Sequence, residues 1–148
     1  EMVKFIQTSK VLVLLATLFV SEFVVAEVNS VQVISRLDPN AILITETDIV
    51  FVYDEELATN FPADKTAWYS GKRNYTRSAG DKVEVINIFI PQGFDSTMAS
   101  LPERRAEAIK VFVFAQHDDS KAKPVDVTNF AKVLIEIDPF GIRVSETD

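Results

Sequence analysis

The 148-residue sequence contains no cysteine, a single histidine, His117, and only four glycines, Gly71, Gly80, Gly93 and Gly141. Without cysteine no disulfide braces the fold, no thiolate zinc centre forms and no lipid is carried on a cysteine sulfur. The lone histidine sits beside Asp118 and Asp119, short of the three or four ligands a transition metal requires. No EF-hand spacing gathers Asp118, Asp119 and Asp126 around a hard cation, so no metal and no cofactor is expected. Four scattered glycines make no phosphate-cradling loop, and no G-x-S-x-G elbow presents a serine to His117. With these constellations missing, the chain is expected not to be an enzyme.

A long hydrophobic run is absent too. Residues 11–20 (VLVLLATLFV) form an almost wholly apolar stretch of ten, about half of the roughly 20 residues that a membrane-spanning helix needs. Lys4 and Lys10 precede it, Ser21 and Glu22 interrupt it, and Val24-Val25-Ala26 leads into the polar Glu27, Asn29 and Ser30. This is the layout of an export signal with cleavage after Ala26. Two other readings stay open: an uncleaved signal-anchor, and a buried helix or strand pair. The expected organisation is a hydrophobic signal helix over residues 1–26 and one domain over residues 27–148, which is large enough for a real core. Location outside the cytoplasm, periplasmic in a bacterium, follows.

Setting aside Lys4, Lys10, Glu1 and Glu22 leaves 13 cations and 20 acids in residues 27–148, the same net −7 as the whole chain. A surface of that sign repels nucleic acid and anionic headgroups. Any membrane contact is left to the N-terminal segment.

The chain then reads as strands separated by turn signals. Residues 28–35 alternate with one wet face, and Asp38-Pro39-Asn40 turns the chain. Residues 41–45 are a short strand or extended loop, and residues 49–53 (IVFVY) a buried strand ending in the solvated run Asp54-Glu55-Glu56. A helix is expected from about Asn60 to Arg77, with Pro62 in its first turn. Trp68 and Tyr75, seven apart, share the face that packs on a sheet. Residues 83–90 form a strand, 94–101 a loop, and Ser100-x-x-Glu103 has the spacing of a capping box. Residues 109–116, apolar on both faces, form a central strand. Residues 129–138 alternate, with Ala131, Val133, Ile135 and Ile137 inward, and an edge strand follows Pro139-Phe140-Gly141. Six to seven strands with one helix predict a mainly β, two-layer β-sandwich of the Ig-like or transthyretin-like kind.

Within this acidic chain, Lys65, Lys72, Arg73 and Arg77, with Lys82 just beyond, concentrate five cations on the helical segment. One reading is a solvated helix face whose C-terminal cations suit the macrodipole. The other is a docking surface for an acidic protein partner, anchored by Trp68 or Tyr69 if either is exposed. Asn74-Tyr75-Thr76 is a glycosylation sequon in mid-helix.

The succession IVFVYDEE, an aromatic helix, IPQGFD, AIKVFVFAQHDD and the closing VLIEI and IRV resembles the TssJ (SciN) family of type VI secretion systems. Those are small outer-membrane lipoproteins with a transthyretin-like sandwich. The resemblance covers most of residues 28–144. It implies a non-catalytic adaptor or structural subunit of a bacterial envelope assembly with protein partners. In that family the loop after the first strand docks on the periplasmic part of the inner-membrane core protein; its counterpart is residues 37–48, where no residue matches closely enough to take over a role. The family's lipidated cysteine, directly after the leader, is replaced by Glu27. The competing expectation is an exported enzyme or ligand-binding protein using His117 and nearby carboxylates.

Overall fold

The computed structural model describes residues 25–148. The expected leader lies outside them except for its last two residues. Ala26 is buried, and its N–H donates to the Ala108 carbonyl at 2.7 Å. The next N–H, of Glu27, donates to the Thr128 carbonyl at 2.9 Å, so the start of the described chain is pinned to the domain.

Eight strands form two four-stranded sheets, a β-sandwich as the sequence predicts. In chain order the strands are β1 (Ser30–Ser35), β2 (Thr45–Val52), β3 (Val83–Ile90), β4 (Ser96–Met98), β5 (Lys110–Ala115), β6 (Val125–Asp126), β7 (Lys132–Asp138) and β8 (Gly141–Glu146). One sheet has the order β4-β1-β7-β8, the other β3-β2-β5-β6. The two shortest strands, β4 and β6, carry too few residues for a period-two pattern and raise the count above the expected six to seven. All neighbours are antiparallel except β1 and β7, which run parallel over Ser30↔Lys132 to Ser35↔Ile137.

The inward alternation seals the sandwich. Val31 and Val33 of β1 meet Val133, Ile135 and Ile137 of β7, and from the other sheet Ile49, Phe51, Val111, Val113, Ile88 and Ile90 close the layer. These side chains are nearly all aliphatic and almost wholly withdrawn from water, which at roughly 25 cal/mol per Å² makes this layer the main source of stability. The central place expected for residues 109–116 is observed: β5 pairs with β2 on one side and β6 on the other.

Two helices lie on the chain between β2 and β3. The acidic run expected as a solvated turn instead opens the short helix α1 (Glu55–Thr59), because the Asp54 carboxylate caps it by accepting from the Leu57 N–H at 3.0 Å. The long helix α2 (Lys65–Ala79) begins later than expected. Asp64, not Asn60, is its N-cap, accepting from the Ala67 N–H at 2.8 Å. Pro62 therefore precedes the helix, leaving Phe61 in the connection. Gly80 ends α2 at φ +57, a conformation side-chain-bearing residues avoid. The expected capping box at Ser100 does not form: Pro102 is the N-cap of the 3₁₀ turn Glu103–Glu107, with no side-chain cap bond.

Candidate functional site

Helix α2 lies on the outer face of the β3-β2-β5-β6 sheet and builds a second core of different character. Trp68 is fully buried and stacks on Phe114 with centroids 5.5 Å apart; Phe61 stacks on Phe112 at 4.2 Å; Tyr75 meets Trp68 edge-on at 5.5 Å. Beneath these rings Asp48 of β2 is completely buried. Its carboxylate accepts from Trp68 Nε1 at 2.8 Å and Asn87 Nδ2 at 2.7 Å, and pairs with Lys72 Nζ at 2.7 Å. A buried carboxylate is tolerable only when compensated in this way. Tyr69 stands beside the group, with its pKa raised by burial and by the charges of Asp48 and Glu46, so its hydroxyl stays neutral.

The helical residues singled out from the sequence therefore divide. Trp68 is no surface anchor, because its ring fills the helix–sheet interface and its N–H is spent on Asp48. Lys72 is spent on Asp48 as well. Lys65 and Tyr69 are half-buried and Arg73 and Arg77 exposed. None of the ion pairs among the described residues uses Lys65, Arg73 or Arg77.

His117 follows β5. Its Nε2 lies 2.9 Å from both the Asp138 and Gly141 carbonyl oxygens, which assigns the proton to Nε2, and Nδ1 then accepts from the Thr45 hydroxyl at 3.0 Å. The imidazole thus clamps the β7–β8 turn of one sheet to β2 of the other, and neither nitrogen is free. Asp118 lies against the same turn: a Cβ at position 141 would come within 2.5 Å of its Oδ1, so a larger residue there would have to push the Asp118 carboxylate aside. Asp118 and Asp119 do not converge with His117 on a metal position, and no cluster of metal-ligating side chains occurs among the described residues.

At the same end, the loop between β1 and β2 presents Ile42, 86% exposed, and Ile44, 61% exposed; Phe140 at the β7–β8 turn is 87% exposed. The His117 clamp joins Thr45 to that turn, so Ile44 and Phe140 flank it. A cavity of about 200 Å³ separates the loop from the 91–95 turn, lined by Leu37, Leu43, Pro91 and Phe94. Sequence reasoning placed residues 41–45 in an extended segment, but their apolar character reads equally as core. Exposure alone distinguishes the two.

No protein-family model and no curated protein matches the sequence. Solved structures do. The T6SS lipoprotein TssJ1 from Pseudomonas aeruginosa superposes with a TM-score of 0.52 at 12% identity, over 80% of this chain and 95% of its own. Serratia marcescens Lip, described as a membrane bound component of the Type VI Secretion System, superposes with a TM-score of 0.49 at 11% identity over 80% and 98%. The chain has a TssJ-like β-sandwich fold, in keeping with the resemblance carried by its strand order.

Proposed function

We propose that this protein is an exported, non-catalytic β-sandwich that acts as an adaptor or structural subunit of a bacterial envelope assembly of the type VI secretion kind. Docking on a protein partner occurs through the end of the sandwich bearing the β1–β2 loop. One observation carries the reading: Ile42 and Ile44 project from a loop that rests over a cavity, and Phe140 projects from the turn that His117 ties to Thr45. Exposed large aliphatic and aromatic groups gathered at one end of a soluble domain mark a place where a partner excludes water. The TssJ-like fold supports the same assignment. The engagement of both His117 nitrogens weighs against an acid–base or metal role at that end.

In this reading the leader is removed after Ala26 and the protein works in the periplasm; uncleaved, the same segment tethers it to the membrane. Mass spectrometry of the exported protein should find Glu27 at the N-terminus, and retention of residues 11–20 would establish the tethered form. For docking, a photo-crosslinking residue at position 42 of the full chain, expressed in its native host, should give one discrete protein adduct. Ile44→Asp should abolish it without changing the melting temperature, because the side chain is mostly in water. No discrete adduct, or one indifferent to Ile44→Asp, overturns the assignment.

A further inference from the structure

Helix α2 carries Lys65, Lys72, Arg73 and Arg77 and not one acidic residue, whereas the remainder of residues 27–148 holds 9 cations and 20 acids, net −11. Lys72 is neutralised inward by Asp48. The other three lie along the outer side of the helix, with Arg73 and Arg77 one turn apart, about 6 Å along the axis.

Helix stability does not explain this placement. A cation in the last turn suits the macrodipole, which accounts for Arg77 alone. Lys65 is the first helical residue, where a positive charge opposes the dipole, and Arg73 is central, where the dipole gives it nothing. Beside this row runs a shallow groove of about 500 Å³, lined by Lys65, Thr66, Tyr69, Ser70, Gln116 and His117, with Ile44 and Thr45 also on its wall. Its lining includes a cation, hydroxyls and an amide, and no carboxylate.

We propose that this groove and the adjoining Lys65–Arg73–Arg77 row form a second docking surface, which receives an extended acidic polypeptide segment. The guanidinium groups of Arg73 and Arg77 fork onto successive carboxylates, and Lys65 meets a third at the mouth of the groove. Charge complementarity fixes the chemistry of the occupant: the row lies on the longest acid-free stretch of an otherwise strongly acidic domain, and that stretch carries four of its 13 cations. A polypeptide is favoured over an anionic bilayer for two reasons. The positions between the cations on the exposed face are Thr66, Ala67, Ser70 and Asn74, with no large apolar group to enter a membrane. The net −11 body around the helix also repels an anionic surface too broad to avoid it. The site does not depend on the loop assignment above, since it shares only Ile44 with that surface and excludes Ile42.

The test is a titration of the ¹⁵N-labelled full chain with a polyglutamate peptide, and in parallel with phosphatidylglycerol vesicles. Saturable amide shifts at Thr66, Ser70, Arg73 and Arg77 are expected with the peptide and not with the vesicles. Affinity should fall about tenfold in Arg73→Ala/Arg77→Ala and should weaken steeply towards about 0.15 M salt. Both arginines are exposed and make no ion pair among the described residues, so the variant should melt like the parent protein. Lys132→Ala/Arg143→Ala, which removes two cations from the opposite sheet, should bind the peptide as well as the parent. Equal loss in the two double variants, shifts away from α2, absence of saturation, or binding to vesicles in place of peptide each overturns the proposal. Ile42→Ser should leave the titration unchanged, which separates failure here from failure of the loop assignment.

Discussion

The two faces of the β3-β2-β5-β6 sheet are held by different chemistry. Towards the other sheet the contacts are almost purely aliphatic, and β-branched side chains from β1, β2, β5 and β7 interdigitate. Towards α2 the contacts are aromatic rings laid over one buried carboxylate that is neutralised by Lys72 and hydrogen-bonded by Trp68 and Asn87. An aliphatic layer tolerates small changes of shape and specifies mainly that the sheets come together. The Asp48 cluster demands that Trp68, Lys72 and Asn87 all arrive in one arrangement, which fixes the rotation and the height of the helix.

That contrast is broken most severely at Asp48. Asp48→Ala, by leaving the Lys72 ammonium and the indole N–H without their acceptor, should lower stability by about 3–5 kcal/mol in urea unfolding. Asp48→Leu/Lys72→Met should recover much of that loss; if the double change is as damaging as the single one, the charges are not what the layer is built on. Across the sheet, Ile135→Val should cost about 0.5–1.5 kcal/mol by the same measurement, a graded response from a layer without polar constraints.

The smallest effect belongs to the sheet edge. Burial acts to raise the Asp126 pKa, but hydrogen bonds from the Thr128 hydroxyl and amide, together with Lys110, outweigh it and hold the carboxyl below its usual value. A folded-state pKa below the unfolded one contributes stability that is present above about pH 4 and lost as pH falls through the folded value. Asp126→Asn should thus lower the urea midpoint slightly at neutral pH and flatten its decline below about pH 4. An unchanged acid limb would mean that this carboxylate is not linked to folding.

The aliphatic layer was readable in the sequence because period-two alternation is a local property. Val133, Ile135 and Ile137 announce an inward face without reference to any other segment. The helix layer was only half readable. The spacing of Trp68 and Tyr75 gives their common face, but no local pattern shows how deeply that face is covered, so Trp68 was legible equally as anchor or as core. Asp48 was hidden more thoroughly. Thr-Glu-Thr-Asp at residues 45–48 reads as a polar approach to the strand that follows, yet Thr45, Thr47 and Asp48 are all buried. The groups that make Asp48 tolerable lie 20 and 39 residues further along, at Trp68 and Asn87. The candidate docking end has the same difficulty, since Ile42 and Ile44 have the composition of core and become conspicuous only when nothing covers them.

The parallel pairing of β1 with β7 also governs when this domain comes into existence. Ser30 and Lys132 are roughly 100 residues apart in the chain, and β1 occupies an inner position of its sheet. A chain delivered N-terminus first therefore holds its first strand without its main neighbour until β7 arrives, about 100 residues later, and closing so long a loop slows assembly. A protein built this way stays pliable while it is being made and locks only once the β7–β8 hairpin has formed against β1.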